Sequence, residues 1–334
     1  MKKSLIYLFS LLCMLTLATS CSDDEKGGTD DAWKEISKDY TSDKLSIGTV
    51  STLGTISVNA ASADKATIIL NNVVAGESSV SVDATLTKTD AGYAFEGEST
   101  ATTCNVKVSG TIENGKLTAA ISRTLTSALA GTLNLNYVPY MNDMQIAQAH
   151  ARFNTGDAQM DAMLNNMAAP VVGQLIAKEV ESVTVNLGEE GTFSFSFKKV
   201  GASEETVMPP AKLQEMIKSY LTWYEKENVL YLAVHKDALT ILSGLNILPE
   251  NIDLETILGL LTVEGDYYTI PLQVKEEDGL TTIYLNKDIL VKAWEVAKPL
   301  VGNIQDETIQ SILAMVDQVM AKAKEIEFGL VFKK

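Results

Sequence analysis

Between Lys44 and Tyr137 the 334-residue chain runs through seven short alternating segments, and this run narrows its possible folds more than any other feature. In "GTISVNA", "KATIILNNV", "SVSVDATLT", "YAFEGEST", "CNVKVSGTI", "KLTAAISRTL" and "GTLNLNY", apolar and polar residues alternate and β-branched residues are frequent. A period of two sends successive side chains to opposite faces, which suits a half-buried strand and not a helix. Turn residues separate the segments, as in "TDAG" at 89–92 and "ENGK" at 113–116. Asn114-Gly115 is a favoured hairpin pair because both central positions of such a turn need positive φ. Consecutive hairpins with no helical period between them predict one antiparallel meander of about eight strands over residues 44–137. Closure as a barrel, or folding as a sandwich, would remove its exposed edges.

Around Tyr137-Val138-Pro139 the rhythm changes. Residues 141–180 have helical spacing, with a break expected before Pro170 because proline disfavours helix at the preceding residue. Five of the eleven methionines fall here. Met160, Met163 and Met167 are the candidates for an adaptable lining that accepts an apolar ligand; the plainer reading, and the favoured one, is a core face packed on the sheet.

The remainder holds three hairpins, "VTVNLGEEGTFSFSFKK", "YLTWYEKENVLYLAVHK" and "YYTIPLQVKEEDGLTTIYLNK". The last two end in similar steps, His235-Lys236-Asp237-Ala238-Leu239 and Asn286-Lys287-Asp288-Ile289-Leu290, whose aspartates suit a first helical turn. Helices are predicted over 238–246, 252–261, 288–301 and 306–324, and a final strand in "EIEFGLVF". In the last helix Ile309, Ile312, Leu313, Val316, Val319, Met320 and Ala323 form one apolar stripe. Blocks of strands and helices without βαβ alternation predict a mainly β plus α+β chain. The parts are an N-terminal antiparallel meander, barrel or sandwich, and an antiparallel hairpin sheet packed with helices over 138–334.

The N-terminus carries an address. Lys2 and Lys3 precede the apolar stretch "LIYLFSLLCMLTLA", too short and one-sidedly flanked for a membrane-spanning helix, so residues 1–20 read as an export signal. Ala18, Thr19 and Ser20 before Cys21 resemble a lipobox, with Leu17 one place earlier than the commonest version. The resemblance implies acylation of Cys21 and an outer-membrane lipid anchor; otherwise the chain is cut near Ser20 and Cys21 is incidental. Ser22, Asp23, Asp24 and Glu25 resemble the surface-export signal of Bacteroidetes lipoproteins and also suit a solvated tether, expected over residues 21–43. "TIILNNVVAGESSVSVDATLTKTDAGYAFEGE" followed by "VKVSGTIENGKLTAAIS" resembles the calycin-like, or lipocalin-like, β domains of uncharacterised Bacteroidetes cell-surface lipoproteins. That likeness covers residues 44–137, rests on strand rhythm, and implies an antiparallel module facing the cell exterior with no site residues to carry over.

Composition excludes several classes. With 27 basic and 43 acidic residues the formal charge is −16, which repels nucleic acid and anionic membrane surfaces. Of the three cysteines, Cys13 leaves with the signal and Cys21 is the expected anchor, so Cys104 remains as a lone thiol. It shares a strand face with Val106 and Val108 and is expected in the core. Two histidines and no cysteine pair offer no zinc site, and no calcium loop, P-loop, G-x-G-x-x-G or G-x-S-x-G is present. Hence no metal and no cofactor is expected. His235 is expected as a half-exposed polar residue at a strand end.

The function these features favour is a non-enzymatic binding or scaffolding lipoprotein holding an apolar molecule, a glycan or a protein partner. The alternative is an envelope glycan-processing enzyme using carboxylates that sequence does not identify. For a glycan, Trp223, Tyr224, Tyr267 and Tyr268 are the candidates, at most one of each adjacent pair facing a given side of its strand. Ordinary core packing is the other reading of all four.

Overall fold

The computed structural model of the chain describes residues 31–48, 52–208, 220–243, 258–301 and 307–334. The expected leader and anchor, including Cys21, Ser22, Asp23, Asp24 and Glu25, lie outside the described residues. So do residues 252–257 of the predicted 252–261 helix and the ends of two others. Trp33–Lys334 forms one compact unit.

The expected meander is an eight-stranded sheet. Its strands are β1 (Asp39–Tyr40), β2 (Leu45–Ile47), β3 (Thr55–Ser62), β4 (Lys65–Asn71), β5 (Ser79–Lys88), β6 (Gly92–Thr100), β7 (Cys104–Glu113) and β8 (Lys116–Leu125). From β3 to β8 each pairs antiparallel with the next. β1 then pairs with β3, and β2 pairs in parallel with β8, so a link of only a few residues joins the sheet's two outer edges. The result is a nearly closed barrel. Its inside is filled by the alternating apolar set; Ile56, Val58, Ile68, Leu70, Val82 and Cys104 are fully buried. The Asn114-Gly115 turn takes φ of 51° and 75°, as that pair predicts.

Two expectations for this half need correction. Residues 33–40 are not tether: a short helix α1 (Ala32–Glu35) precedes β1, and both Ile36 and Tyr40 are buried in the barrel core. The Tyr40 hydroxyl donates to the Ile36 carbonyl at 3.1 Å, and burial pushes its pKa up to about 12. The last expected meander strand, β9 (Gly131–Leu135), leaves the barrel to pair with two strands of the second sheet.

That second sheet has eleven strands. After the small hairpin β10 (Tyr137–Pro139) and β11 (Gln145–Ala147) come β12 (Ala149–Asn154), β13 (Val180–Leu187), β14 (Phe193–Lys199), β15 (Thr206–Met208), β16 (Leu221–Lys226) and β17 (Val229–His235). β18 (Thr262–Glu264), β19 (Tyr267–Glu277), β20 (Leu280–Asn286) and β21 (Glu325–Lys333) complete it. The order is β15-β14-β13-β9-β21-β20-β19-β17-β16, with β12 also on β21 and β18 on β19. The three predicted hairpins are β13–β14, β16–β17 and β19–β20.

The helical reading of 141–154 is overturned. Those residues form one 3-10 turn (Met141–Asp143) followed by β11 and β12, because Ala149, Ala151 and Phe153 alternate with His150 and Arg152 and β21 supplies a full ladder partner for β12. Helix α2 (Ala158–Glu179) begins later, where the Asp157 carboxylate accepts the Gln159 and Met160 amides. It also continues through Pro170, which was expected to break it. Proline removes one ladder bond, and packing on β11, β12 and β13 compensates. Gly173 permits the close approach: a β-carbon there would lie 2.2 Å from the Ala147 carbonyl oxygen. Helices α3 (Lys236–Ser243), α4 (Lys287–Val301) and α5 (Glu307–Lys322) fall where the sequence placed helices.

Candidate functional site

Registers across the second sheet bring apolar residues from distant segments onto one face. Phe195 lies opposite Val185, Val185 opposite Leu133, and Leu135 opposite Phe332. Leu330 lies opposite Ile283, Ile283 opposite Val274, and Leu272 opposite Leu230. Directly paired residues share a face, so this is one hydrocarbon surface spanning seven strands. Part of it forms a trough of about 430 Å³, lined by Val183, Val185, Phe193, Phe195, Leu230, Leu232, Leu272, Ile283, Leu285, Phe328, Leu330 and Phe332. Ser194 and Tyr284 are its only lining residues with a polar side-chain atom among those described. Burial raises the Tyr284 phenol, so the trough is uncharged at neutral pH.

No family model, curated protein or solved structure matches the chain. Its chemistry is therefore read from its own geometry.

Among the described elements, α2, α4 and α5 cover the other end of the same face, around Ile326. Under them lies a second apolar cavity of about 380 Å³, lined among others by Phe153, Leu164, Val172, Leu290, Val319 and Ile326. The Asn165 side chain bonds the Phe153 amide at 2.7 Å and its carbonyl at 3.1 Å, which satisfies the outer backbone of β12 and fixes α2 over the cavity. Trp294 and Lys298 of α4 both donate to Asp317 of α5, at 2.7 and 2.9 Å.

The methionine candidates do not line either cavity. Met163 and Met167 are 48% and 57% exposed on the outer side of α2, and Met160 is half-buried. The same helix contributes Leu164, Ala168, Val171 and Val172 instead. The error is one of helix phase, which a helix apolar on several sides does not reveal.

The aromatic candidates divide. Trp223 and Tyr224 are fully buried, so neither offers a ring face to a sugar. The Trp223 indole donates to the Gly188 carbonyl at 2.9 Å. Tyr224 stacks on Tyr231 with centroids 4.9 Å apart, and its hydroxyl donates to Glu264. Burial first, then the Glu264 carboxylate, pushes the Tyr224 phenol far above its ordinary pKa. Tyr224 and Tyr267 do meet, lining a cavity of about 210 Å³ between the barrel and the second sheet. Tyr268 is half-buried, opposite Val234 and Val263.

Polar residues that sequence reasoning passed over hold this junction. The Arg123 guanidinium of β8 donates to the Ala75 carbonyl, to Thr222 and to the Trp223 carbonyl. Asp266 is 4% exposed and accepts from the Thr52 hydroxyl at 2.7 Å, the Leu53 amide at 2.9 Å and Lys236 Nζ at 2.7 Å. Burial pushes its carboxyl up, and these donors together outweigh that, holding it below the usual carboxylate range. His235 is buried, not half-exposed, and its Nδ1 accepts the Asp237 amide at the start of α3. Cys104 is a buried thiol whose pKa burial raises. Among the described residues no group of three His, Cys, Asp or Glu is placed to hold a metal ion.

Proposed function

We propose that this chain is a surface-anchored, non-enzymatic lipoprotein that holds an apolar molecule in the trough of its second sheet. The observation that carries the proposal is the continuous hydrocarbon lining of that trough, with no charged side chain among its described residues. The trough is open on one side, so its apolar lining stands against water at a cost of roughly 25 cal/mol per Å² left exposed. Water is a poor filler, since a bound water needs polar partners that this lining lacks. An apolar occupant removes the cost, and the volume falls within the ordinary range for small-molecule sites. The export signal, Cys21 and the acidic run Ser22–Glu25 support an anchored location outside the cell. The packed barrel interior and the buried Trp223 and Tyr224 favour the trough over a barrel cavity or a sugar-stacking face.

Native mass spectrometry of protein purified from its host tests this. A co-purified apolar molecule is expected on the wild type and absent from Phe195→Asp, a change at the trough's half-open wall. A wild type that carries no such molecule and takes up no fluorescent alkyl probe would overturn the proposal.

A further inference from the structure

We propose that the cavity under α2 is a second lobe of a single alkyl-chain site, and that the Phe328 ring is the partition setting how long a chain the site accepts. This rests on the apolar-ligand reading of the trough. The two cavities, about 430 and 380 Å³, are built on one sheet face, and Phe328 is the one described residue that lines both. Its backbone is held from both sides, because Phe328 is opposite Ala151 of β12 and Leu285 of β20. The ring, not a mobile strand, therefore stands between the lobes. Ala151 beside it carries only a methyl group, so β12 supplies no second bulky side chain to do the same work.

The lining fixes the chemical class. Under α2 every described lining residue is a hydrocarbon or thioether side chain, and in the trough only Ser194 and Tyr284 add a polar side-chain atom. A ligand atom that must hydrogen-bond would be stranded in the inner lobe, whereas a methylene chain loses nothing there. Two lobes meeting at one side chain also suit a flexible linear chain, which bends past a ring, better than fused rings. The polar end of such a molecule stays at the solvent side of the trough.

The test is displacement of a fluorescent alkyl probe by straight-chain alcohols of increasing length. It uses the full chain carrying Cys21→Ala, so that no acyl group of its own competes. For wild type, affinity should rise by about fourfold per buried methylene and then stop at a limiting length. Phe328→Ala should move that limit several methylenes longer, and Phe328→Leu, which keeps more of the ring's bulk and protects folding, should move it less. Identical limits in wild type and in both folded variants would overturn the partition and leave the trough standing. If Phe328→Ala does not fold, an unshifted limit in Phe328→Leu overturns it alone. A wild type that binds no alcohol of any length would remove the trough reading and the partition with it.

Discussion

Asp266 shows how much one buried carboxylate holds together. Its partners Thr52 and Leu53 precede the first long barrel strand, while Lys236 opens α3 on the second sheet. Because its folded pKa lies below the unfolded value of about 3.9, its contribution is fully present above pH 4. It is lost as pH falls through the lower folded value. Asp266→Asn is expected to cost about 2 kcal/mol at pH 7, the order of a charged hydrogen-bond network with one partner still partly in solvent. Urea denaturation of both proteins between pH 7 and pH 3 checks this, and the gap should close only below pH 4. A gap independent of pH would assign the loss to packing and not to charge. Nothing in the sequence marks Asp266, since its three partners are 30 residues or more away.

At the scale of elements, turn chemistry was legible and strand partners were not. The β7–β8 turn has the favoured Asn-Gly pair, whereas the β16–β17 turn puts Glu227 and Asn228 at φ of 55° and 62° without a glycine. A glutamate in the left-handed region is strained by its β-carbon. Replacing the pair by Asn-Gly is expected to stabilise the protein by about 1 kcal/mol. The readout is a higher urea midpoint at unchanged slope; an equal or lower midpoint would show that the hairpin does not relax at this turn. The segment 141–154 misled because its alanines, methionines and glutamines favour helix locally, and only β21, more than 170 residues on, offers the edge that makes β12 a strand. The exposed Met163, Met167 and Leu175 on α2 were visible as apolar residues at steps of four and eight, but which side of the helix faced the sheet was not.

For the whole molecule, the barrel and the second sheet share one hydrophobic core. The cluster that contains Ile56 and Val106 also contains Leu133, Leu187, Trp223 and Phe332. Arg123 and Asp266 bridge the same boundary. One cooperative transition is therefore expected. Cys104 sits in the barrel, so the denaturant dependence of its labelling by a thiol reagent reports the barrel, while far-UV circular dichroism follows both sheets. The two midpoints should coincide, with slow labelling of the native protein. A Cys104 transition well separated from the other would make the barrel an independent domain.

The sequence by itself determined what depends on near neighbours: the strands of the barrel, their turns, the three hairpins, the last helices and the burial of Cys104. These follow from alternation, helical period and turn residues, which act over a few positions along the chain. Tertiary structure alone decided that β9 leaves the meander, that β12 is a strand, that Trp223 is core and that the apolar trough lies on the second sheet. Each of those outcomes depends on a pairing between segments separated by scores of residues. A period of two assigns a residue to one of two faces, but which face is covered is settled only when the partner strand arrives.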